Sequence, residues 1–201
     1  MRLTTIYSKV RLLISQPNEE WLKIKEEDTP YRVLLKGYVL PLIILFIGSS
    51  VLGRVLFTDK IELTFLIRII YVVKDALIPF IGIYVSSLII NEIVPRFSNV
   101  KNLNRTFQLM GYSFTPYLLT LFIKGLLANY SSLNNFLSFF SLYGFYLMWI
   151  GCPVILDIRK EDKINFILLS GLVIIGVFTL MTYSADFVFN IILITSAVKA
   201  M

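Results

Sequence analysis

Hydroxyl side chains and a proline lie together inside an apolar segment that covers residues 110–127. The stretch GYSFTP contains Tyr112, Ser113, Thr115 and Pro116. Such a group could bind a ligand, could satisfy the carbonyl that a proline frees, or could pack between helices. Because Ser113 and Tyr112 precede Pro116 by three and four residues, their hydroxyls can help locally. We therefore interpret the stretch first as a helix bend that faces protein rather than lipid.

A second group of candidate residues lies in the segment SLYGFYLMWIGCPVIL. Gly144 and Gly151 are seven residues apart and share a helix face, with Tyr143, Tyr146 and Trp149 around them. We expect the deeper aromatic side chains to pack on the glycines; an aromatic cofactor box is the alternative, and we predict no cofactor. The candidate bundle or cavity residues are Tyr112, Ser113, Pro116, Tyr143, Gly144, Tyr146 and Gly151.

The residue types that common catalytic sites need are missing from the sequence. It has no histidine, which excludes histidine zinc sites and Ser-His hydrolysis, and its one cysteine, Cys152, excludes an internal disulfide. Asp157 and Asp186 lie near the ends of apolar segments without a Gly-x-Gly-Asp motif. We therefore predict no catalytic residues, no metal site and no enzyme activity.

Composition places these residues in a membrane. The chain of 201 residues is 57% hydrophobic and 16% charged, and its mean hydropathy is +0.77. Soluble domains are less apolar and carry about 25% charged residues. The net charge of +6 fits the enrichment of Lys and Arg in cytoplasmic loops. Because no basic run with interleaved aromatics occurs, we predict no nucleic-acid partner.

Five segments are long and apolar enough to cross a bilayer, which takes about 20 residues of helix. We predict an all-α bundle of five transmembrane helices in residues 33–201. The predicted spans are about 33–57, 76–94, 107–128, 136–156 and 164–182. Two further apolar regions are ambiguous. Residues 61–75 could be interfacial or extend the second span, and we interpret 187–198 as a packed or interfacial tail.

The loops indicate the orientation. With five spans, thirteen Lys and Arg residues lie on the side of the N-terminus and six on the other, so we predict a cytoplasmic N-terminus. Residues 1–32 form the predicted cytoplasmic tail. Within it, Pro17 followed by Glu19 and Glu20 suits a helix start, and Trp21 and Ile24 give that helix an apolar side. We expect it to lie on the cytoplasmic leaflet.

Prolines and small residues recur within the predicted spans. One proline occurs in each of the first four spans, where neighbouring helices or hydroxyls must satisfy the freed carbonyls. Pairs of small residues at four-residue spacing let a neighbouring helix approach closely. These pairs are Ser49 and Gly53, Gly82 and Ser86, and Gly111 and Thr115. They predict a tight bundle and weakly favour self-association.

Two functions fit these observations. The first is a non-enzymatic protein that binds or organises other membrane components: the lipid bilayer, other membrane proteins or a second copy of itself. The alternative is a small solute or lipid transporter. A transporter needs a water-accessible cavity that reaches the middle of the bilayer, and we expect Tyr112, Ser113 and Tyr143 to line it.

Several motifs together resemble the Yip domain family of five-span membrane proteins, named for partners of Ypt/Rab GTPases. They are Pro17 to Trp21 in the tail, YVLPLI in the first span, GYSFTPYLL in the third and YGFYLMWIG in the fourth. The resemblance implies the five-span architecture and a membrane-organising or adaptor role. The Asp-Leu-Tyr-Gly-Pro motif of eukaryotic members is absent before the first span. The short tail is similar to prokaryotic members, which implies a multi-pass protein of the bacterial inner membrane.

Overall fold

The computed structural model describes residues 3–57, 65–99, 101–127 and 131–199, with side chains for 4–53, 71–99, 101–127 and 135–191. Throughout these ranges the regular structure is helical, which confirms the predicted all-α class. The α-helices are α1 (Leu3–Ser15), α2 (Pro17–Glu27), α3 (Tyr31–Leu34), α4 (Leu40–Phe57), α5 (Phe65–Ile93), α6 (Leu103–Ser113), α7 (Thr115–Leu126), α8 (Ser131–Phe140), α9 (Tyr143–Ile155) and α10 (Lys163–Lys199).

Four helices of the described chain are long and apolar enough to cross a membrane. They cover Tyr31–Gly53, Tyr71–Arg96, Asn135–Ile155 and Lys163–Ile191. These confirm a multi-span helical membrane protein and correspond to the first, second, fourth and fifth predicted spans. The third predicted span, 107–128, is not a single helix of this kind, because the chain breaks at Phe114 between α6 and α7; Ala128 lies outside the described residues.

The break at Phe114 is the bend that the sequence predicted, and its local chemistry is clear. Pro116 near the start of α7 cannot donate to the carbonyl of Tyr112. The Thr115 hydroxyl donates to that carbonyl at 2.7 Å instead. The sequence had assigned this task to Ser113 or Tyr112. Thr115 makes this bond because its hydroxyl reaches back to the carbonyl three residues earlier, as Ser and Thr hydroxyls commonly do.

The other prolines of the spans are accommodated in different ways. A π-helical turn at Leu35–Val39 joins α3 to α4 directly before Pro41, so one continuous helix runs over 31–57. Such wide turns let a helix absorb an irregular hydrogen-bond pattern. In α9 the Cys152 thiol donates to the carbonyl of Trp149, the group that Pro153 frees. Local side chains and turns thus keep the bundle hydrogen-bonded.

The two ambiguous regions extend long helices. Residues 65–75 begin α5, and residues 187–198 continue α10 to Lys199. Residues 187–198 are thus continuous with the fifth predicted span, because no breaker interrupts the apolar sequence after Asp186; their packed or interfacial position stays a prediction. Residues 61–64, and the outer ends of the predicted domains at residues 1–2 and 200–201, lie outside the described residues.

Small residues bring α4 and α7 into close contact. A Cβ added to Gly53 would lie 2.0 Å from the carbonyl oxygen of Gly125, and one added to Gly125 would lie 2.3 Å from Ser49 Oγ. No real side chain tolerates such distances to backbone. The pair Ser49 and Gly53 therefore does what its spacing predicted, and the partner is α7.

Helix α6 forms the centre of the fold. All residues from Thr106 to Ser113 are buried, and α6 contacts α3, α5 and α9. Polar groups on α6 fix its neighbours: Asn104 accepts from the backbone N–H of Tyr31 at 3.0 Å, and Gln108 donates to the carbonyl of Thr29 at 2.9 Å. Helix α6 can therefore be buried despite its polar side chains, because these side chains form hydrogen bonds with the backbone of the neighbouring segment.

Helices α1 and α2 form an N-terminal hairpin that packs against the bundle. Three contacts follow one another along α9 and the loop after it. Tyr143 donates to the carbonyl of Ile14, Trp21 lies on Gly151, and Lys25 pairs with Asp157 at 2.9 Å. Helix α2 therefore runs parallel to α9. The predicted helix with Pro17 at its start is present as α2; its relation to the leaflet stays a prediction.

Candidate functional site

Tyr112 lies at the centre of a buried group of side chains, which we name the Tyr112 cluster: Lys9, Glu20, Trp21, Tyr38, Tyr112 and Thr115. The ring of Tyr112 lies 4.8 Å from that of Tyr38 and meets Trp21 edge-on at 6.3 Å between centroids. Tyr38 and Thr115 hydroxyl oxygens are 2.7 Å apart. Because Thr115 spends its proton on the Tyr112 carbonyl, Tyr38 is the donor. The cluster ties the first long helix to the break at Phe114.

A buried ion pair joins the two helices of the N-terminal hairpin inside this cluster. Lys9 Nζ lies 3.2 Å from Glu20 Oε1 and 2.7 Å from Glu27 Oε2. Lys9 and Glu20 are only 5% and 2% exposed, and the Lys9 ammonium lies 5.6 Å from the centroid of the Tyr112 ring. Removing one partner of such a pair leaves an uncompensated charge. The pair therefore holds the hairpin in one arrangement.

Some buried polar atoms of this region make no hydrogen bond among the described residues. They are Glu20 Oε2, Trp21 Nε1 and Ser113 Oγ in and beside the cluster. Buried polar atoms are usually satisfied. These three atoms therefore mark polar groups that the bundle leaves incompletely satisfied.

The structure separates the seven candidate residues into four groups. Tyr112, Tyr143 and Gly151 contact the N-terminal hairpin, through Lys9, Ile14 and Trp21 respectively. Pro116 stands in the first turn of α7. Tyr146 is half exposed, with its ring 5.1 Å from that of Tyr143.

Ser113 and Gly144 meet where α6 and α9 cross. A Cβ on Gly144 would lie 2.6 Å from the carbonyl oxygen of Ser113, so the glycine permits the contact. Both residues also line a cavity of about 260 Å³. Its wall is almost wholly apolar and comprises, besides these two, Phe114, Tyr117, Ser141, Leu142, Phe145, Met148, Ile174, Ile175 and Phe178. We name it the apolar cavity.

A second cavity, of about 310 Å³, lies further along α7. Its wall includes Asp75 of α5, Lys124 of α7 and Thr182 of α10, so we name it the polar cavity. Lys124 donates to the Ser138 hydroxyl at 2.7 Å. Beside the cavity, Lys74 pairs with Asp186 at 2.7 Å and lies 3.9 Å from Asp75.

Tyr117 borders both cavities. Its ring packs edge-on against Phe178 of α10 at 5.5 Å, and Phe178 stacks on Phe114 at 5.3 Å. Gly82 gives Phe178 room, because a Cβ there would lie 2.8 Å from the ring. Nothing in the sequence distinguishes Phe178, since it lies in a uniformly apolar helix. Gly82, on α5, is the small residue whose packing partner the structure identifies as Phe178.

These features define an integral membrane protein built as a helical bundle, with an N-terminal hairpin packed onto it. The sequence matches the family model of the Yip1 domain over residues 11–181, so the chain belongs to the Yip1 domain family. This confirms the resemblance on which the architecture was expected. The matched range includes all of α2 and the last five residues of α1, so α2 is part of the domain.

Comparison with curated proteins gave no match, and neither did comparison with solved structures. Within the described residues, no group of three or more His, Cys, Asp or Glu side chains could hold a metal ion.

Proposed function

We propose that this protein is a non-enzymatic membrane protein that binds or organises other membrane components. One observation carries the proposal: the apolar cavity reaches the outer surface of the bundle. Leu142 and Ile175 at its rim are 58% and 61% exposed. In a membrane-spanning bundle, exposed apolar residues of this kind face lipid or another membrane protein. The open space of the bundle is therefore accessible to a membrane component from the side.

Five crossings, with the third formed by α6 and α7 together, complete the proposal. Contacts between α6–α7 and the helix at 31–57 support a third crossing, because residues later in one segment contact residues later in the other. Asn104 bonds Tyr31, Thr115 bonds Tyr38, and Gly125 lies on Ser49. A broken helix that follows a spanning helix over this length is long enough to cross beside it. Buried broken helices are tolerated in membranes when the protein satisfies their backbone.

A cytoplasmic N-terminus is part of the same proposal. Asp157, in the loop before α10, pairs with Lys25 of the hairpin at 2.9 Å and with Arg105 of α6 at 3.5 Å. These contacts support one shared end for the three regions that hold most of the Lys and Arg residues, as the positive-inside rule requires. The bacterial inner membrane stays our prediction for the location.

The alternative, a small solute or lipid transporter, needs a water-accessible cavity that reaches the middle of the bilayer and is lined by Tyr112, Ser113 and Tyr143. Tyr112 and Ser113 are buried in helix contacts, and Tyr143 bonds the N-terminal hairpin. The cavity next to Ser113 is apolar, which suits an acyl chain or an apolar side chain better than a hydrated solute. These contacts support binding over solute transport.

Purification in a mild detergent tests the proposal. We expect phospholipids or membrane proteins to co-purify specifically, compared with an unrelated multi-span protein prepared identically, and to be identified by mass spectrometry. In liposomes we expect no saturable solute flux. Specific solute flux, or turnover of a substrate by the purified protein, would overturn the proposal.

A further inference from the structure

The apolar and polar cavities are neighbours between α7 and α10, and we name the two together the cleft between α7 and α10. At the start of α7, Phe114, the residue before the helix, borders the apolar cavity; within α7, Tyr117 borders both cavities and Lys124 borders the polar cavity. On α10, Phe178 borders the apolar cavity, and Thr182, one turn later, borders the polar one. The order is the same on both helices and Tyr117 belongs to both walls, so the two cavities lie next to one another.

This cleft changes character along its length. The Phe114 end has an apolar wall open at Leu142 and Ile175, whereas the Lys124 end carries one cationic and one anionic side chain, Lys124 and Asp75. An apolar part followed by a part with separated charges matches an amphipathic molecule with a zwitterionic head. Solutes and peptides have no reason to need both parts in this order.

The charges favour one kind of head group. Among the described residues Lys124 bonds a neutral hydroxyl, that of Ser138, so its ammonium can also bind a phosphate diester. The Asp75 side chain is 39% exposed beside Lys74, and a carboxylate can accept hydrogen bonds from several donors at once. A primary ammonium on the ligand can donate hydrogen bonds to it, whereas a quaternary ammonium cannot.

We propose that the cleft between α7 and α10 binds one glycerophospholipid with a zwitterionic head group that bears a primary ammonium, as in phosphatidylethanolamine. Its phosphate contacts Lys124, its ammonium contacts Asp75, and one acyl chain enters the apolar cavity past Tyr117. This rests on the proposed function and names the membrane component that the protein binds.

Lipid titration of the purified full-length chain, followed by native mass spectrometry, tests the head-group contacts. The probes are phosphatidylethanolamine, phosphatidylcholine and phosphatidylglycerol with identical chains. We expect the first to bind most tightly. Lys124→Gln should weaken all three by about tenfold, the value of one charge-assisted contact. Asp75→Asn should weaken phosphatidylethanolamine alone, so that its binding of phosphatidylglycerol reports correct folding. Lys101→Gln, in an exposed ion pair with Glu92, is the matched control.

Filling the apolar cavity tests the acyl-chain contact. Ile175→Trp should weaken all three lipids several-fold, whereas Leu172→Trp, on the same helix and equally exposed but outside the cavity wall, should leave binding unchanged. Equal affinities for the three lipids, or unchanged binding in Lys124→Gln and Ile175→Trp, would overturn this inference alone if lipids or proteins still co-purify with the wild type. Absence of any co-purifying component would overturn the proposed function as well.

Discussion

Trp21 of the N-terminal hairpin lies directly on Gly151 of α9: a Cβ at position 151 would stand 2.6 Å from Trp21 Cε2 and 2.8 Å from Leu109 Cδ1. The glycine therefore creates the place in which the largest side chain of the hairpin is buried. This contact links Gly151, a candidate residue from the sequence, to helix α2, which the sequence pattern had indicated to lie on the membrane surface.

Gly151→Ala should displace the hairpin. The added methyl group meets two side chains below 3.0 Å, and overpacking of this kind costs about 1–3 kcal/mol. We expect a lower melting temperature in detergent and faster proteolysis between residues 17 and 27. Gly176→Ala is the control, because a Cβ there meets nothing within 4 Å. Equal stability of the two variants would refute the packing of Trp21 on Gly151.

Gly53→Ala should separate α4 from α7. Its Cβ would meet the backbone carbonyl of Gly125 at 2.0 Å, and backbone cannot move aside as a flexible side chain does. We therefore expect a larger fall in melting temperature than for Gly151→Ala, together with a loss of monodispersity in size-exclusion chromatography. Gly48→Ala, in the same helix with open space around it, should be neutral. If both variants behave like the wild type, the close contact is absent.

Thr115 and Tyr38 should be coupled in a double-mutant cycle. Thr115→Val leaves the Tyr112 carbonyl and the Tyr38 hydroxyl without their partner, at a cost of about 1–3 kcal/mol for buried groups. Tyr38→Phe removes one of these groups. We expect the double variant to lose less stability than the sum of the single variants, measured by denaturant unfolding. Strict additivity would show that the two hydroxyls do not interact.

Loss of the Lys9 charge should destabilise the protein much more than loss of the Glu27 charge. Lys9→Met leaves the buried Glu20 uncompensated, and breaking a buried pair costs about 3–5 kcal/mol. Glu27→Gln changes a residue that is exposed, and exposed partners contribute about 0–1 kcal/mol. Unfolding of both variants should show this contrast. An equally small effect of the two would mean that the hairpin does not depend on the pair.

Cysteine labelling tests the five crossings. In a Cys152→Ala background, a cysteine replacing Lys160 should react only from the cytoplasmic side, and one replacing Asn134 only from the other side. Reaction of both from the same side would reject the proposed topology.

The sequence predicted those features that depend on residue type at fixed spacing. The role of Gly53 in close helix packing was predictable, because small residues four apart share a helix face. The bend at Phe114 was predictable, because Pro116 follows a run of hydroxyl residues. The packing of Trp21 against α9 could not be predicted, because the sequence pattern of a short amphipathic helix is the same whether its apolar side faces lipid or protein. The cleft could not be predicted either, since Lys124 and Asp75 lie 49 positions apart in the sequence and only the fold brings them to one cavity.

The central claim is that the bundle holds a membrane component. The most direct measurement is the phospholipid content of the wild-type chain after exhaustive washing with lipid-free detergent, from total phosphorus per mole of protein, together with mass spectrometry of any retained protein. We predict stoichiometric retention of a phospholipid or of a membrane protein partner. A chain that retains neither would contradict the account.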